Sequence, residues 1–123
     1  MSTYPGRKVS VILKGQAKDE FEKLSETTKR QEKEGKETSD EMALLRSIRH
    51  KADALKLNPT YGEKIARKLI PDNIAVSNLF KVNLANYWRM LYTLQGNKSE
   101  VVVFVLWIVD HPTYDKMFGY AKR

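Results

Sequence analysis

The sequence predicts an α+β fold: an N-terminal strand, a helical hairpin, then an antiparallel three-strand meander, with the helices packed on one face of the sheet. Three observations carry this. A short β-branched run stands near the start, two stretches of helical apolar spacing follow it, and the last third of the chain holds β-rich segments ending in an unbroken apolar run at residues 101–109.

Val9-Ser10-Val11-Ile12-Leu13, closed by Lys14-Gly15, reads as the first strand. From Ala17 the spacing turns helical, with Phe21, Leu24 and Thr28 on one side and Glu20, Glu22, Lys23 and Lys29 on the other. Glu32-Lys33-Glu34-Gly35-Lys36-Glu37 has nothing apolar to bury and contains a helix-breaking glycine, so it is expected to be an exposed connection. Thr38-Ser39-Asp40-Glu41 then offers a capping box, the Thr38 hydroxyl accepting from an early amide of the next helix while Glu41 reaches back. Leu45, Ile48, Ala52 and Leu55 mark that helix, which ends at Asn58-Pro59 because proline disfavours helical geometry in the residue before it. Residues 59–77 carry mixed signals and read as loop with a helical turn near Ile65. Residues 79–84, 88–94 and 101–109 read as strands, with Gln95-Gly96-Asn97-Lys98 turning between the last two. An apolar strand without polar alternation should be buried on both faces, hence central in the sheet.

Length and composition bound the rest. The 123 residues suit a single domain over 1–123, and 41% hydrophobic with 30% charged residues is a globular composition. The absence of cysteine excludes disulfides, thiolate metal sites and cysteine nucleophiles. Met1-Ser2-Thr3-Tyr4-Pro5-Gly6 lacks a signal-peptide pattern and the 101–109 run is too short to span a bilayer as a helix, so cytoplasmic residence without a membrane role is expected. With 22 Lys and Arg against 15 Asp and Glu, the charge of +7 favours polyanionic partners such as RNA, DNA or an acidic protein.

The turn after the first strand of the meander decides which side chains share a face. A two-residue loop at Ala85-Asn86 would set Val82 opposite Arg89 and Asn83 opposite Trp88, mixing polar with apolar on both faces. A three-residue loop, Ala85-Asn86-Tyr87, sets Leu84 against Trp88, Val82 against Met90 and Phe80 against Tyr92. The other face then presents Lys81, Asn83, Arg89 and Thr93 together, a cationic surface able to hold a phosphodiester. Trp88, Tyr92 and Trp107 read as core, and His50, between Arg49 and Lys51, reads as surface.

The segment from Asp110 leaves directly from the end of the last strand. His111 is a candidate for proton transfer or a tie between tail and sheet; Tyr114 and Tyr120 can bond phosphate or stack on a base. No Gly-rich phosphate loop, His-Glu-x-x-His or nucleophile elbow is present, and two separated histidines make a poor metal site. No metal and no small-molecule cofactor is therefore expected.

Asn78-Leu79-Phe80-Lys81-Val82, Asn86-Tyr87-Trp88-Arg89-Met90-Leu91-Tyr92 and Asp110-His111-Pro112-Thr113-Tyr114-Asp115-Lys116 together resemble the RelE branch of the RelE/ParE toxin superfamily. The order of elements is similar along nearly the whole chain. The resemblance implies a toxin of a toxin–antitoxin system, a metal-independent endoribonuclease that cleaves mRNA, in several members on the ribosome, and that an antitoxin neutralises. An acidic antitoxin segment would cover the basic face. Arg89 and Lys81 would stabilise charge on the scissile phosphate, His111 or Tyr114 would transfer protons, and Asn83, Thr93, Lys116 and Tyr120 would contact RNA. Members of the best-known type often carry a lysine where this chain has Asn83 and an arginine where His111-Pro112 stands. A ParE-like inhibitor of a protein such as DNA gyrase, or a non-catalytic nucleic-acid-binding domain, keeps the fold and drops the cleavage.

Overall fold

A computed structural model describes residues 7–119; the opening hexapeptide, on which the signal-peptide expectation falls, and Tyr120 lie outside them. The β-branched run forms β1 (Lys8–Leu13), and the two helical stretches form α1 (Gly15–Lys33) and α2 (Asp40–Leu57). The expected meander is β3 (Phe80–Asn83), β4 (Arg89–Gly96) and β5 (Glu100–Val109). β1 joins it parallel to β5, and a two-residue strand, β2 (Glu63–Lys64), joins antiparallel to β3, giving a five-stranded sheet in the order β1-β5-β4-β3-β2. A short third helix, α3 (His111–Met117), follows β5.

Ala17, Leu24, Leu44, Leu45, Ile48 and Leu55 from the hairpin pack on Phe80, Val82, Met90, Tyr92, Val103, Val105 and Ile108 of the sheet. The Phe80 and Tyr92 rings, directly opposite across β3 and β4, stack with centroids 5.0 Å apart. A smaller core lies on the other face, where Leu91 and Val109 meet Ile65, Ile74, Leu79 and Tyr114. α1 and α2 cover one face as the sequence predicts, whereas α3, which its pattern did not announce, closes part of the opposite one.

Several details depart from expectation. Ser39, not Thr38, caps α2: its hydroxyl accepts from the Met42 amide at 3.0 Å and donates to Gln31 at 2.6 Å. With the cap shifted by one residue, Glu41 no longer stands where a capping box needs it, and Gln31 of α1 donates to it instead. That Gln31 bond is the chief reason the Glu41 carboxyl is held below its ordinary pKa. The turn expected near Ile65 falls at Arg67–Leu69. β5 is interior but alternates, burying Val101, Val103 and Val105, the last two under the hairpin, while Val102, Phe104 and Leu106 are only partly covered. A bulge opposite Leu91 and Tyr92 then shifts the phase, since Leu91 faces Trp107 and Tyr92 faces Val105. β1 stops at the level of Val105, and the Gln16 side-chain amide takes over from it, accepting from the Ile108 amide at 2.8 Å and donating to the Ile108 carbonyl at 2.9 Å.

The link from α2 to β3 is fastened by one buried hydroxyl. Tyr92 Oη donates to the Pro59 carbonyl at 2.7 Å and accepts from the Gly62 amide at 3.0 Å. A Cβ at Gly62 would lie 2.8 Å from that hydroxyl and 2.9 Å from the Lys81 carbonyl oxygen, so the backbone can approach this closely only without a side chain. Gly62→Ala should therefore destabilise the protein by about 1–3 kcal/mol, read as a lower urea midpoint at unchanged slope; a midpoint equal to the parent's would mean the link yields without cost.

Candidate functional site

The site follows from strand register. Ala85, Asn86 and Tyr87 form the three-residue connection, with Asn86 and Tyr87 at φ of 60° and 64°. The Leu84 amide closes it by donating to the Trp88 carbonyl at 2.8 Å. The pairs Phe80–Tyr92, Lys81–Leu91, Val82–Met90 and Asn83–Arg89 are those the apolar pattern predicts for this loop length. On its other edge β4 places Arg89 opposite Val109, the last residue of β5. The chain then turns at Asp110 into α3, and His111 arrives beside Arg89.

Arg89 Nη2 lies 3.3 Å from His111 Nδ1, and Nη1 donates to the Tyr87 carbonyl at 3.3 Å. Arg89 Nε is buried without an acceptor, and among the described residues no carboxylate pairs with this guanidinium. His111 Nε2 lies 3.2 Å from Asp115 Oδ2, one helical turn further on. Arginine only donates and a carboxylate only accepts, so one neutral tautomer satisfies both contacts: Nε2–H toward Asp115, with the Nδ1 lone pair toward Arg89. Asp110 sets the start of α3 by accepting from the Thr113 amide at 2.9 Å. Hydrogen bonding to Thr113, side chain and then amide, holds the Asp110 carboxyl below its ordinary pKa.

Tyr114 is 7% exposed and lies against Phe118 with centroids 4.6 Å apart. Two cations share its ring: Arg89 Cζ at 5.5 Å and Lys81 Nζ at 5.6 Å from the centroid, both within cation–π range. Lys81 also pairs with Glu63 of β2 at 3.3 Å; the Glu63 side chain is 75% exposed and that of Lys81 22%. Lys81, Arg89, His111 and Tyr114 are thus brought together, with the tyrosine as the floor under the cations.

The RNA-contact candidates separate. Asn83 is exposed and directly opposite Arg89. Thr93 was expected on the same open face, but it is 5% exposed and donates to Asn78 Oδ1, which also accepts from the Leu94 amide. Alternation along β4 gives its side correctly; the covering segment before β3 removes it from the surface. Lys116 is exposed, yet five residues after His111 it points about 140° away around the helix. Tyr120 lies outside the described residues. Asp115 and Glu63 were not anticipated. Asp110 before Pro112 is a helix-start signal that would have put His111 and Asp115 on one face at i,i+4, whereas the two residues of β2 are too short for any pattern.

No protein-family model, curated protein or solved structure matches the chain. No helix among the described residues is long and apolar enough to cross a membrane.

Asp110→Ala should lower stability at neutral pH by about 0.5–2 kcal/mol through loss of the cap. Because the folded-state pKa is depressed, the cap contributes above the ordinary carboxyl value of 3.8 and is lost as pH falls through the lower folded value. Melts of parent and variant should therefore converge in acid; a gap that persists there would mean that the ionised carboxylate is not what caps α3.

Proposed function

We propose that the chain is a RelE-type toxin, an endoribonuclease that cleaves mRNA in the cytoplasm and is restrained by an antitoxin protein. One observation carries this: a guanidinium with a buried, unpaired Nε and no carboxylate partner lies in contact with an imidazole that the Asp115 carboxylate orients. A structural arginine would be expected to find an acidic partner; this one has only backbone carbonyls and the His111 ring nitrogen, and a phosphate would supply the missing anion.

In the proposed reaction the 2′-hydroxyl of one ribose attacks the adjacent phosphorus. The new P–O2′ bond forms as the P–O5′ bond breaks, leaving a 2′,3′-cyclic phosphate and a 5′-oxygen that takes a proton from solvent water to become a free 5′-hydroxyl. Arg89 and Lys81 stabilise the charge that grows on the non-bridging oxygens. His111 Nδ1 takes the 2′-hydroxyl proton once the phosphate draws Arg89 away from that lone pair, and Asp115 steadies the imidazolium that results. Tyr114, buried and stacked, serves as the surface that positions both cations rather than as the proton carrier. An acidic antitoxin segment would occupy the same cations, and the +7 charge favours such a partner.

The test is incubation with mRNA, with and without ribosomes, read by primer extension and by the chemistry of the new ends. Arg89→Ala should slow cleavage on the order of 10²–10³-fold and His111→Ala roughly 10²–10⁴-fold. Stability should change in Arg89→Ala by less than about 1 kcal/mol, since the cation–π contact and long hydrogen bonds that are lost are offset by removal of a buried Nε without an acceptor. A folded Arg89→Ala protein with full activity, or a parent protein that leaves mRNA intact with and without ribosomes, would overturn the proposal.

A further inference from the structure

We propose that the hollow on the far side of Lys81 is a binding subsite for one RNA nucleotide next to the cleaved linkage; this rests on the function proposed above. The hollow is lined by Lys51, Tyr61, Gly62, Glu63, Lys81 and Asn83 and measures about 210 Å³. It is smaller than the roughly 300–1,000 Å³ of sites that enclose a cofactor or drug-sized ligand, which suits a single base or sugar–phosphate unit. Lys81 is the shared wall: its ammonium faces Tyr114 of the cleavage site and Glu63 of the hollow.

The lining has the chemistry that single-stranded RNA uses. Tyr61 is 48% exposed, and Lys51 Nζ both donates to its hydroxyl at 3.1 Å and lies 5.3 Å from its ring centroid. An aromatic face next to a cation recognises a base and its phosphate without regard to sequence. Asn83 adds an amide able to donate and accept at the mouth nearest Arg89. Two lysines against one glutamate leave the hollow net cationic.

The hollow is also held in shape. Tyr61-Gly62-Glu63 is fixed to the sheet by the Tyr92 hydroxyl, which takes the Gly62 amide, and by the pairing of Glu63 with Lys81 in β2 and β3. Lys51 comes from α2, so helix and sheet converge on one nucleotide-sized space. The Lys81–Glu63 pair is largely exposed on its acidic side, so a phosphate can displace Glu63 at little cost.

The test is fluorescence anisotropy of the full chain with a labelled 2′-O-methyl hexanucleotide, which cannot supply the attacking hydroxyl. Tyr61→Ala should weaken binding on the order of 5- to 150-fold, while Tyr61→Phe, which keeps the ring, should retain most of the affinity. Lys51→Ala should weaken binding and reduce the salt slope by about 0.7. Thermal melts check that each variant is folded. If Tyr61→Ala and Lys51→Ala bind like the parent while Arg89→Ala is weakened, the subsite is overturned and the cleavage site stands. If both are weakened while Arg89→Ala binds and cleaves like the parent, the hollow stands as an RNA site and the cleavage proposal falls. Absence of binding by the parent, or equal displacement of the oligonucleotide by poly-glutamate at matched charge, would overturn the subsite in favour of a surface for an acidic protein.

Discussion

Ala85, Asn86 and Tyr87 carry the chain from β3 into β4 with two successive non-glycine residues in the left-handed region, a conformation that costs of order 1–2 kcal/mol per residue. The connection is held at both ends, by the Leu84–Trp88 backbone bond and by the Asn86 side chain, which donates to the Asp40 carbonyl at the start of α2. The cost is tolerated because of what the register secures. A slip by one residue would turn Phe80 and Val82 outward and drive Lys81 and Asn83 under the hairpin, exchanging a packed apolar layer for unpaired polar groups. The same register brings Arg89 level with the end of β5, and only there can the residue that opens α3 touch it.

The two cores divide the work of the sheet unequally. The hairpin side is mainly apolar, and its packing anchors the fold. On the other side Leu91, Val109 and Tyr114 form a small apolar island, and Lys81 and Arg89 rest on its aromatic member. A cation on a ring keeps its charge available while its stem is held, which differs from a cation locked against a carboxylate. The buried Arg89 Nε without an acceptor is the counterpart of this arrangement, a local loss of stability.

What was legible in the sequence followed from period. The alternation of Phe80, Val82 and Leu84 against Trp88, Met90 and Tyr92 selects one loop length, and the structure has that register. α1 and α2 were legible because each runs several turns. α3 spans only seven residues, too few for an apolar stripe to declare itself, although Asp110 and Pro112 mark its start. Thr93 shows the complementary failure. Period assigns a side chain to a face but cannot tell whether another segment covers that face, and the Asn78 amide that seals Thr93 comes from a stretch without regular pattern. The hollow beside Lys81 was invisible for the same reason, because β2 and the Gly62 approach arise from tertiary contact with Tyr92.

Lys81 and Arg89 flank one ring, yet their surroundings fit them for different tasks. Arg89 is held by its Tyr87 and His111 contacts, so its donors are already oriented in the free protein. Preorganisation of this kind lowers a barrier because no rearrangement is required as charge develops. Lys81 is a flexible point charge already engaged by Glu63, and an exposed pair of this type is worth about 0–1 kcal/mol. On the function proposed above, a phosphate entering between Lys81 and Arg89 competes with a weak ion pair on one side and with the His111 contact on the other. In the proposed reaction the lysine gives up Glu63 and the arginine gives up its His111 contact as the phosphate binds.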